Sequence, residues 1–127
     1  MSDAPLRLVG LRGATTCAAN TTTDIRQAVR ELIDALVSRN GISPAQIVSV
    51  TFSVTADLDA CFPAAEARQR NGWDSVALLD CQQMAVQGDL CRCIRVLAHV
   101  LLPTEQTPQH PYLGEASRLR PDRSGHN

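Results

Sequence analysis

One long amphipathic stretch, residues 22 to 40, sets the frame for any fold of this chain. Its apolar side chains recur at helical spacing between Ile25 and Val37, and the opposite face is charged. Thr22, Thr23 and Asp24 supply N-cap chemistry, and Asn40-Gly41 is typical of a helix end. We predict one long helix whose apolar stripe packs against another layer of the protein.

Strands are predicted to form that second layer. Residues 48 to 54 alternate between apolar and hydroxyl side chains, and residues 91 to 102 alternate over a longer run. Two shorter apolar runs have strand character: residues 6 to 12, which Gly13 is predicted to break, and residues 76 to 79, which are predicted to be largely buried.

The order of these elements predicts the fold class. Pro63 is predicted to open a short helix through Arg70, which Asn71-Gly72 would end. The chain is then an α+β protein, with a mixed β-sheet covered on one face by one long helix and one short helix. Its 127 residues form a single domain, and residues 121 to 127 are predicted to be a flexible tail. Self-association would cover the other face of the sheet.

Composition excludes several classes of partner. Twelve basic and thirteen acidic residues give a net charge of -1, which favours neither nucleic acid nor an anionic membrane. The aromatic content of 3% is too low for the stacking platforms that bind single-stranded nucleic acid. No apolar run approaches the roughly 20 residues that cross a bilayer. We expect no nucleic-acid and no membrane partner.

The cysteines indicate the compartment. They number five, are irregularly spaced, and follow an N-terminus without the features of a signal peptide. We expect free thiols in a reducing compartment and therefore a cytoplasmic location. Cys91-x-Cys93 lacks the spacing of a zinc site, so we expect no structural metal.

Arg95 is the most unusual residue of the long alternating run. The alternation places it on a face with apolar neighbours such as Leu97, whereas Ile94 and Val96 point to the other face. A buried guanidinium requires an anion, which either the protein or a ligand can provide. From the alternation alone, a catalytic cation and a salt bridge within the protein are equally good interpretations.

Five motifs lie in order along nearly the whole chain. They are Gly10-Leu11-Arg12-Gly13-Ala14-Thr15-Thr16, Asp57-Leu58-Asp59-Ala60-Cys61-Phe62-Pro63-Ala64, Gly72-Trp73, Cys93-Ile94-Arg95-Val96, and Tyr112-Leu113 followed by Leu119-Arg120-Pro121-Asp122. Each motif is short, but their order and spacing together resemble the monofunctional chorismate mutases of the trimeric, pseudo-α/β-barrel type.

This resemblance implies a homotrimer with an active site in each cleft between neighbouring subunits. Each site would convert chorismate to prephenate, a step in phenylalanine and tyrosine biosynthesis. In this [3,3] rearrangement an ether C–O bond breaks as a C–C bond forms, without proton transfer, metal or cofactor. The protein has to hold a flexible dianion in a compact conformer and stabilise negative charge on the ether oxygen.

The resemblance also implies roles for individual residues. Arg95 would be the cation at the ether oxygen, and Arg12 with the Tyr112 hydroxyl would bind the side-chain carboxylate of the substrate. Without the resemblance, Arg12 would be a surface charge at a strand end and Tyr112 a packing residue. Phe62 would form an apolar wall. Four further residues would line the site, the two arginines near the ring carboxylate: Ala64, Arg68, Leu119 and Arg120.

The sequence departs from the family pattern at two places. The family commonly has a Cys followed three residues later by a Glu that contacts the ring hydroxyl; this chain has Asp80 and Gln83 there. A Lys found in some members is replaced by Ala65. We predict that Asp80 takes over from the Glu and pairs with Arg95, while Gln83 orients the group. Alternatively, Asp80 merely ends a strand and the enzyme is weakened.

Two other classes of function stay open at this stage. Gln83 and Ala65 favour a non-catalytic trimeric module of the same fold that binds an anionic metabolite. A lyase or deaminase could use a similar cleft between subunits, but the sequence offers no positioned acid and base pair for it.

Overall fold

A computed structural model describes residues 4–123 of the chain. In that range the elements, in chain order, are β1 (Leu6–Thr16), α1 (Thr22–Asn40), β2 (Ile47–Val54), α2 (Pro63–Ala67), β3 (Ala77–Gln82) and β4 (Cys93–Pro103). Single 3-10 turns follow α1, α2 and the loop after β4. Residues 121–123 of the predicted flexible tail form another 3-10 turn, and residues 124–127 lie outside the described residues.

The strands form one mixed sheet in the order β1-β4-β2-β3. The central strand β4 is antiparallel to β1 and to β2, and β3 runs parallel to β2 at the edge. Helix α1 covers one face of this sheet, and α2 packs against α1 and β3. The predicted α+β architecture is confirmed.

The two faces of β4 differ as the alternation predicts. Val96, Ala98 and Val100 are buried in the core that includes the apolar stripe of α1. Arg95 and Leu97 point to the other face, which no helix of the described chain covers. We call this second face the open face. It carries apolar side chains that are at least 40% exposed: Leu6, Leu8, Leu79 and Leu97.

The ends of α1 follow the expected chemistry with one shift. The N-cap is Thr21, one residue before the predicted set, and its hydroxyl accepts a hydrogen bond of 3.0 Å from the backbone N–H of Asp24. The helix ends at Asn40, as predicted. Gly41 has a φ of 60° and donates its N–H to the carbonyl of Val37, a conformation that glycine adopts without strain.

Strand β1 is longer than predicted, because Gly13 does not break it. A Cβ at this position would lie 2.6 Å from the carbonyl oxygen of Pro111. The missing side chain lets residues 111–113 lie against the strand, where Ala14 donates to Pro111 O at 3.0 Å and accepts from Leu113 N at 2.8 Å. Gly13 therefore marks a close approach of two backbones.

Three smaller predictions also need correction. Strand β3 is an edge strand and mostly exposed, whereas a largely buried strand was expected. Helix α2 ends at Ala67, and the chain continues to Arg70 in tighter turns. A bulge between Ile47 and Ser49 turns Val48 outward, so Val48 is exposed and does not join the buried face of β2.

Candidate active site

Arg95 lies on the open face, between Ala14 of β1 and Ser53 of β2. Its side chain is 24% exposed. Two of its nitrogens contact the carboxylate of Asp89, with Nη2–Oδ1 at 3.0 Å and Nη1–Oδ2 at 3.4 Å. The anion that partial burial of Arg95 requires is therefore a carboxylate of the same chain.

This ion pair shifts the pKa values of both Arg95 and Asp89. Burial lowers the pKa of Arg95, but the hydrogen bond and charge of Asp89 outweigh burial and raise the pKa overall. The hydrogen bond from Arg95, with another from the backbone N–H of Leu90, holds the pKa of the Asp89 carboxyl below its usual value. Both groups are therefore charged at neutral pH.

Arg12 and Tyr112 share a cleft with Arg95. The cleft measures about 190 Å³ on the open face, and Thr51, Ser53 and Leu97 complete much of its wall. Tyr112 is buried and pairs with Ala14 through a parallel bridge next to the close approach at Gly13. We call this the Arg95 cleft. The structure brings together the three polar groups that the resemblance places around the substrate.

Leu119 and Arg120 lie on the same side of the molecule. Leu119 packs against a small buried cluster that contains Tyr112. Arg120 forms an ion pair with Asp122 at 2.9 Å, and this hydrogen bond raises the pKa of Arg120. Arg120 and Arg68 were both predicted near the ring carboxylate, but within one chain Arg120 lies on the Tyr112 side and Arg68 follows α2.

The other predicted residues form a second group at the β3 edge of the sheet. Phe62 is 71% exposed and lines a separate cleft of about 580 Å³ together with Asp80. Ala64 is buried in the first turn of α2, and Arg68 follows this helix. We call this the Phe62 cleft. Because Arg12 lies on the opposite edge strand, one chain carries the predicted site as two separate groups.

The predicted pairing of Asp80 with Arg95 is wrong within the chain. Asp80 lies opposite Phe52, on the face covered by the helices, whereas Arg95 points to the open face. Its Oδ1 instead accepts a hydrogen bond of 3.0 Å from the backbone N–H of Ala64, at the start of α2. Burial raises the pKa of Asp80, against the opposing effects of that N–H and the charge of Arg68.

Gln83 also differs from its predicted role of orienting Asp80. Its Oε1 accepts a hydrogen bond of 2.8 Å from the hydroxyl of Ser53, the neighbour of Arg95 on β2. Gln83 and Asp89 line one cleft of about 410 Å³, adjacent to the Arg95 cleft. The amide and the carboxylate thus share a cavity that Asp80 does not line.

Asp89 is not among the site residues predicted from the sequence. It lies in the loop between β3 and β4, where no periodicity or motif draws attention to it. One signal could have identified it: Asp89 is the only acidic residue among residues 83 to 92, directly before the strand that carries Arg95. A half-buried arginine with one acid nearby in sequence has that acid as its simplest partner.

Comparison with known proteins identifies the family. A family model described as chorismate mutase type I matches residues 8–123. The chain belongs to the type I chorismate mutases.

Relatives in this chorismate mutase family align over nearly the full length. The chain is 38% identical to the chorismate mutase AroH of Bacillus subtilis over 117 residues, covering 91% of each protein. It is 47% identical to the chorismate mutase AroH of Thermus thermophilus over 118 residues, covering 89% of this chain and 93% of the relative. A chorismate mutase from Clostridium thermocellum has the same fold, with a TM-score of 0.80 and 39% identity, over 87% of this chain and 98% of that one.

Three further observations concern the described part of this chorismate mutase. Between residues 4 and 123, no helix combines the length and apolarity that crossing a bilayer requires. No cluster of three or more His, Cys, Asp or Glu side chains in that range is arranged to hold a metal ion. All five cysteines are free thiols.

Proposed function

We propose that the chain catalyses the rearrangement of chorismate to prephenate at the Arg95 cleft. The observation that carries this proposal is the convergence of Arg12, Arg95 and Tyr112 on one cavity of the open face. Two guanidinium groups and a phenol provide hydrogen-bond donors for a substrate with two carboxylates and an ether oxygen. Such donors suit a reaction that needs restraint and charge stabilisation rather than proton transfer.

Each group has a distinct part in the proposed mechanism. Arg95 stabilises the negative charge that grows on the ether oxygen as the C–O bond breaks. Its position on the central strand of the sheet fixes the backbone from which it reaches the substrate. Arg12 and Tyr112 hold the side-chain carboxylate, which keeps the two reacting carbons close together. A million-fold acceleration requires about 8 kcal/mol, and one preorganised donor supplies roughly 3 to 4 kcal/mol of it.

A neighbouring copy of the chain completes the proposed site. The Phe62 cleft, with Arg68 beside it, lies at the opposite edge of the sheet from Arg12. A homotrimer in which the open faces turn toward one another would bring the Phe62 cleft of one subunit to the Arg95 cleft of the next. The exposed leucines of the open face support this arrangement, because association removes them from water.

We also propose that this enzyme works in the cytoplasm, in the biosynthesis of phenylalanine and tyrosine. Five free thiols agree with a reducing compartment. The reaction itself needs no redox partner or cofactor, so chorismate and the assembled chain are sufficient.

A kinetic comparison of two arginine variants tests the proposal. We expect the purified chain to form prephenate from chorismate far faster than buffer does, at a rate that is level around neutral pH. Arg95→Lys keeps the charge but loses the planar fork, so kcat should fall by about 100-fold or more. The matched control is Arg30→Lys on the exposed side of α1, where Arg30 pairs with Glu66 at 3.5 Å.

The control should retain the parent kcat, and both variants should retain the parent molecular mass in solution. Chorismate that decays no faster with the protein than in buffer would refute the proposed function. Full activity in Arg95→Lys would refute the role given to Arg95.

A further inference from the structure

The carboxylate of Asp89 faces Arg95 with both of its oxygens. The two contacts, at 3.0 and 3.4 Å, join the two terminal nitrogens of the guanidinium to one carboxylate. Such two-point pairing fixes the plane of the guanidinium as well as its position. A guanidinium has five N–H donors. Two are directed at Asp89, so the remaining donors of Arg95 are available to a substrate oxygen.

The loop that carries Asp89 is itself held in place. Its conformation depends on two left-handed residues, Gly88 with a φ of 83° and Arg92 with a φ of 48°. The backbone N–H of Arg92 donates to both oxygens of Asp57, at 2.9 and 3.1 Å, and its side chain donates to the carbonyl of Cys17 at 3.0 Å. Asp89 also accepts from the N–H of Leu90 at 2.8 Å. The carboxylate is therefore presented from a fixed backbone.

We infer that Asp89 is a positioning residue for the rearrangement, holding the Arg95 guanidinium in the orientation that the ether oxygen requires. This inference rests on the proposed function and adds a residue to it. Gln83 lines the same cavity as Asp89 but carries no charge. Of these two residues only Asp89, in the loop after β3, provides a carboxylate beside Arg95.

Loss of this carboxylate has a characteristic kinetic effect. Without Asp89, the long side chain of Arg95 can take several orientations, and few of them serve the transition state. The removed charge is negative and lies beside the binding place of a dianion, so its removal relieves a repulsion and substrate binding tightens, which lowers KM. A variant of which only part is folded would instead show a lower apparent kcat with an unchanged KM.

The experiment compares Asp89→Asn, Asp89→Glu and a control in steady-state kinetics with chorismate. We expect Asp89→Asn to lower kcat by about 10- to 100-fold and to lower KM as well. Asp89→Glu restores the charge on a longer stem and should recover part of kcat. The control is Asp34→Asn, which breaks another ion pair, to Arg70 at 2.8 Å on the helical side, and should leave both constants unchanged.

A second measurement is independent of turnover. Nitrogen NMR of the arginine side chains should show hindered rotation of the Arg95 guanidinium in the parent chain and free rotation in Asp89→Asn. The Arg95→Lys variant identifies the signal by removing it. If the parent chain fails to accelerate the reaction, the proposed function falls, and these spectra still decide whether Asp89 fixes Arg95.

Three results would overturn the inference. They are parent values of kcat and KM in Asp89→Asn, an equal loss in Asp34→Asn, and a freely rotating Arg95 in the parent chain. If Asp89→Asn does not fold, Asp89→Ser serves for the same comparison.

Discussion

Asp80 and Asp89 are aspartates in contrasting surroundings. Asp89 faces a guanidinium at 3.0 Å, so its charged form is stabilised and its pKa is lowered. Asp80 is partly buried beside α2, and its pKa is raised because burial disfavours the charged form more than Ala64 N–H and Arg68 favour it. The charge of Asp80 thus opposes folding at neutral pH, whereas that of Asp89 does not.

Asp80→Asn should therefore stabilise the protein near neutral pH. A carboxyl whose pKa is higher in the folded state contributes most stability below its unfolded pKa, about 3.9, and loses that contribution as pH rises through the folded pKa. An amide does not titrate there, and its oxygen can still accept from Ala64 N–H. Urea unfolding at several pH values should give the variant a higher free energy of unfolding than the parent at pH 7. This difference should shrink toward pH 3.

The matched control is Asp74→Asn, at an exposed carboxylate in the turn before β3. This variant should follow the parent chain within about 0.5 kcal/mol throughout. An Asp80→Asn protein that is less stable at pH 7 than at pH 4, relative to the parent, would contradict the prediction.

Single residues show how far a site can be derived from sequence. The resemblance assigned Arg12, Arg95 and Tyr112 to one site, and the structure brings them into one cleft. The alternation of β4 predicts the face of Arg95, whereas Tyr112 lies outside the strands and its place came from the resemblance alone. Asp80 was assigned to the wrong partner because the face on which it lies depends on the register of β3 against β2. That register could not be predicted from the sequence. Asp89 was missed because loop residues have no periodicity.

At the level of elements, the end of α1 is joined to the loop after β4. The buried side chain of Asn40 donates to Leu36 O at 2.8 Å and to Gln109 O at 2.9 Å, and it accepts from Gln109 N at 2.8 Å. Gln106 adds a hydrogen bond of 2.7 Å to the carbonyl of Asn40. One amide thus organises the proline-containing loop that leads to Tyr112.

Asn40→Ala should therefore cost more than an ordinary substitution at a helix end. It leaves the N–H and C=O of Gln109 without their partner, and each unsatisfied group costs about 1 to 3 kcal/mol. We expect a loss of roughly 3 kcal/mol in the free energy of unfolding, measured in urea at fixed protein concentration. The comparison variant Asn71→Ala, at an exposed turn, should change stability by less than about 0.5 kcal/mol. Equal losses in the two variants would rule out this role for Asn40.

The elements were predictable where periodicity is strong. The existence of α1 and the faces of β4 follow from their apolar repeats, since each repeat has one buried side. The length of β1 did not follow, because Gly13 in a sequence indicates a break just as well as a close backbone approach. Only the fold shows that residues 111–113 lie against this strand.

On the scale of the whole molecule, the open face is the side of the sheet that the described part of a single chain leaves uncovered. One side of the sheet is covered by α1, and the other carries leucines from β1, β3 and β4 that are 40% to 62% exposed. Apolar positions of the sheet were readable from sequence, but the arrangement of neighbouring copies over them was not. The homotrimer and its shared sites therefore stay predictions.

A charged residue on the open face should dissociate the proposed trimer. Leu79→Glu on β3 would bury an unpaired carboxylate, at a cost of roughly 3 to 5 kcal/mol at each interface. We expect light scattering to show the mass of three chains for the parent and one chain for the variant, with prephenate formation lost in parallel. Ser38→Glu, on the exposed side of α1, should remain trimeric and active. A fully active single chain with Leu79→Glu would exclude shared sites.

The pairing of residues 111–113 with β1 also has a consequence for synthesis on the ribosome. The strand with Arg12 is translated first, and Pro111 and Tyr112, which lie against it, are translated nearly a hundred residues later. A nascent chain therefore cannot complete the wall of the Arg95 cleft until Tyr112 has been synthesised, however early the helix forms. Truncated products that end before residue 111 should therefore be inactive, because they lack the Tyr112 wall of this cleft.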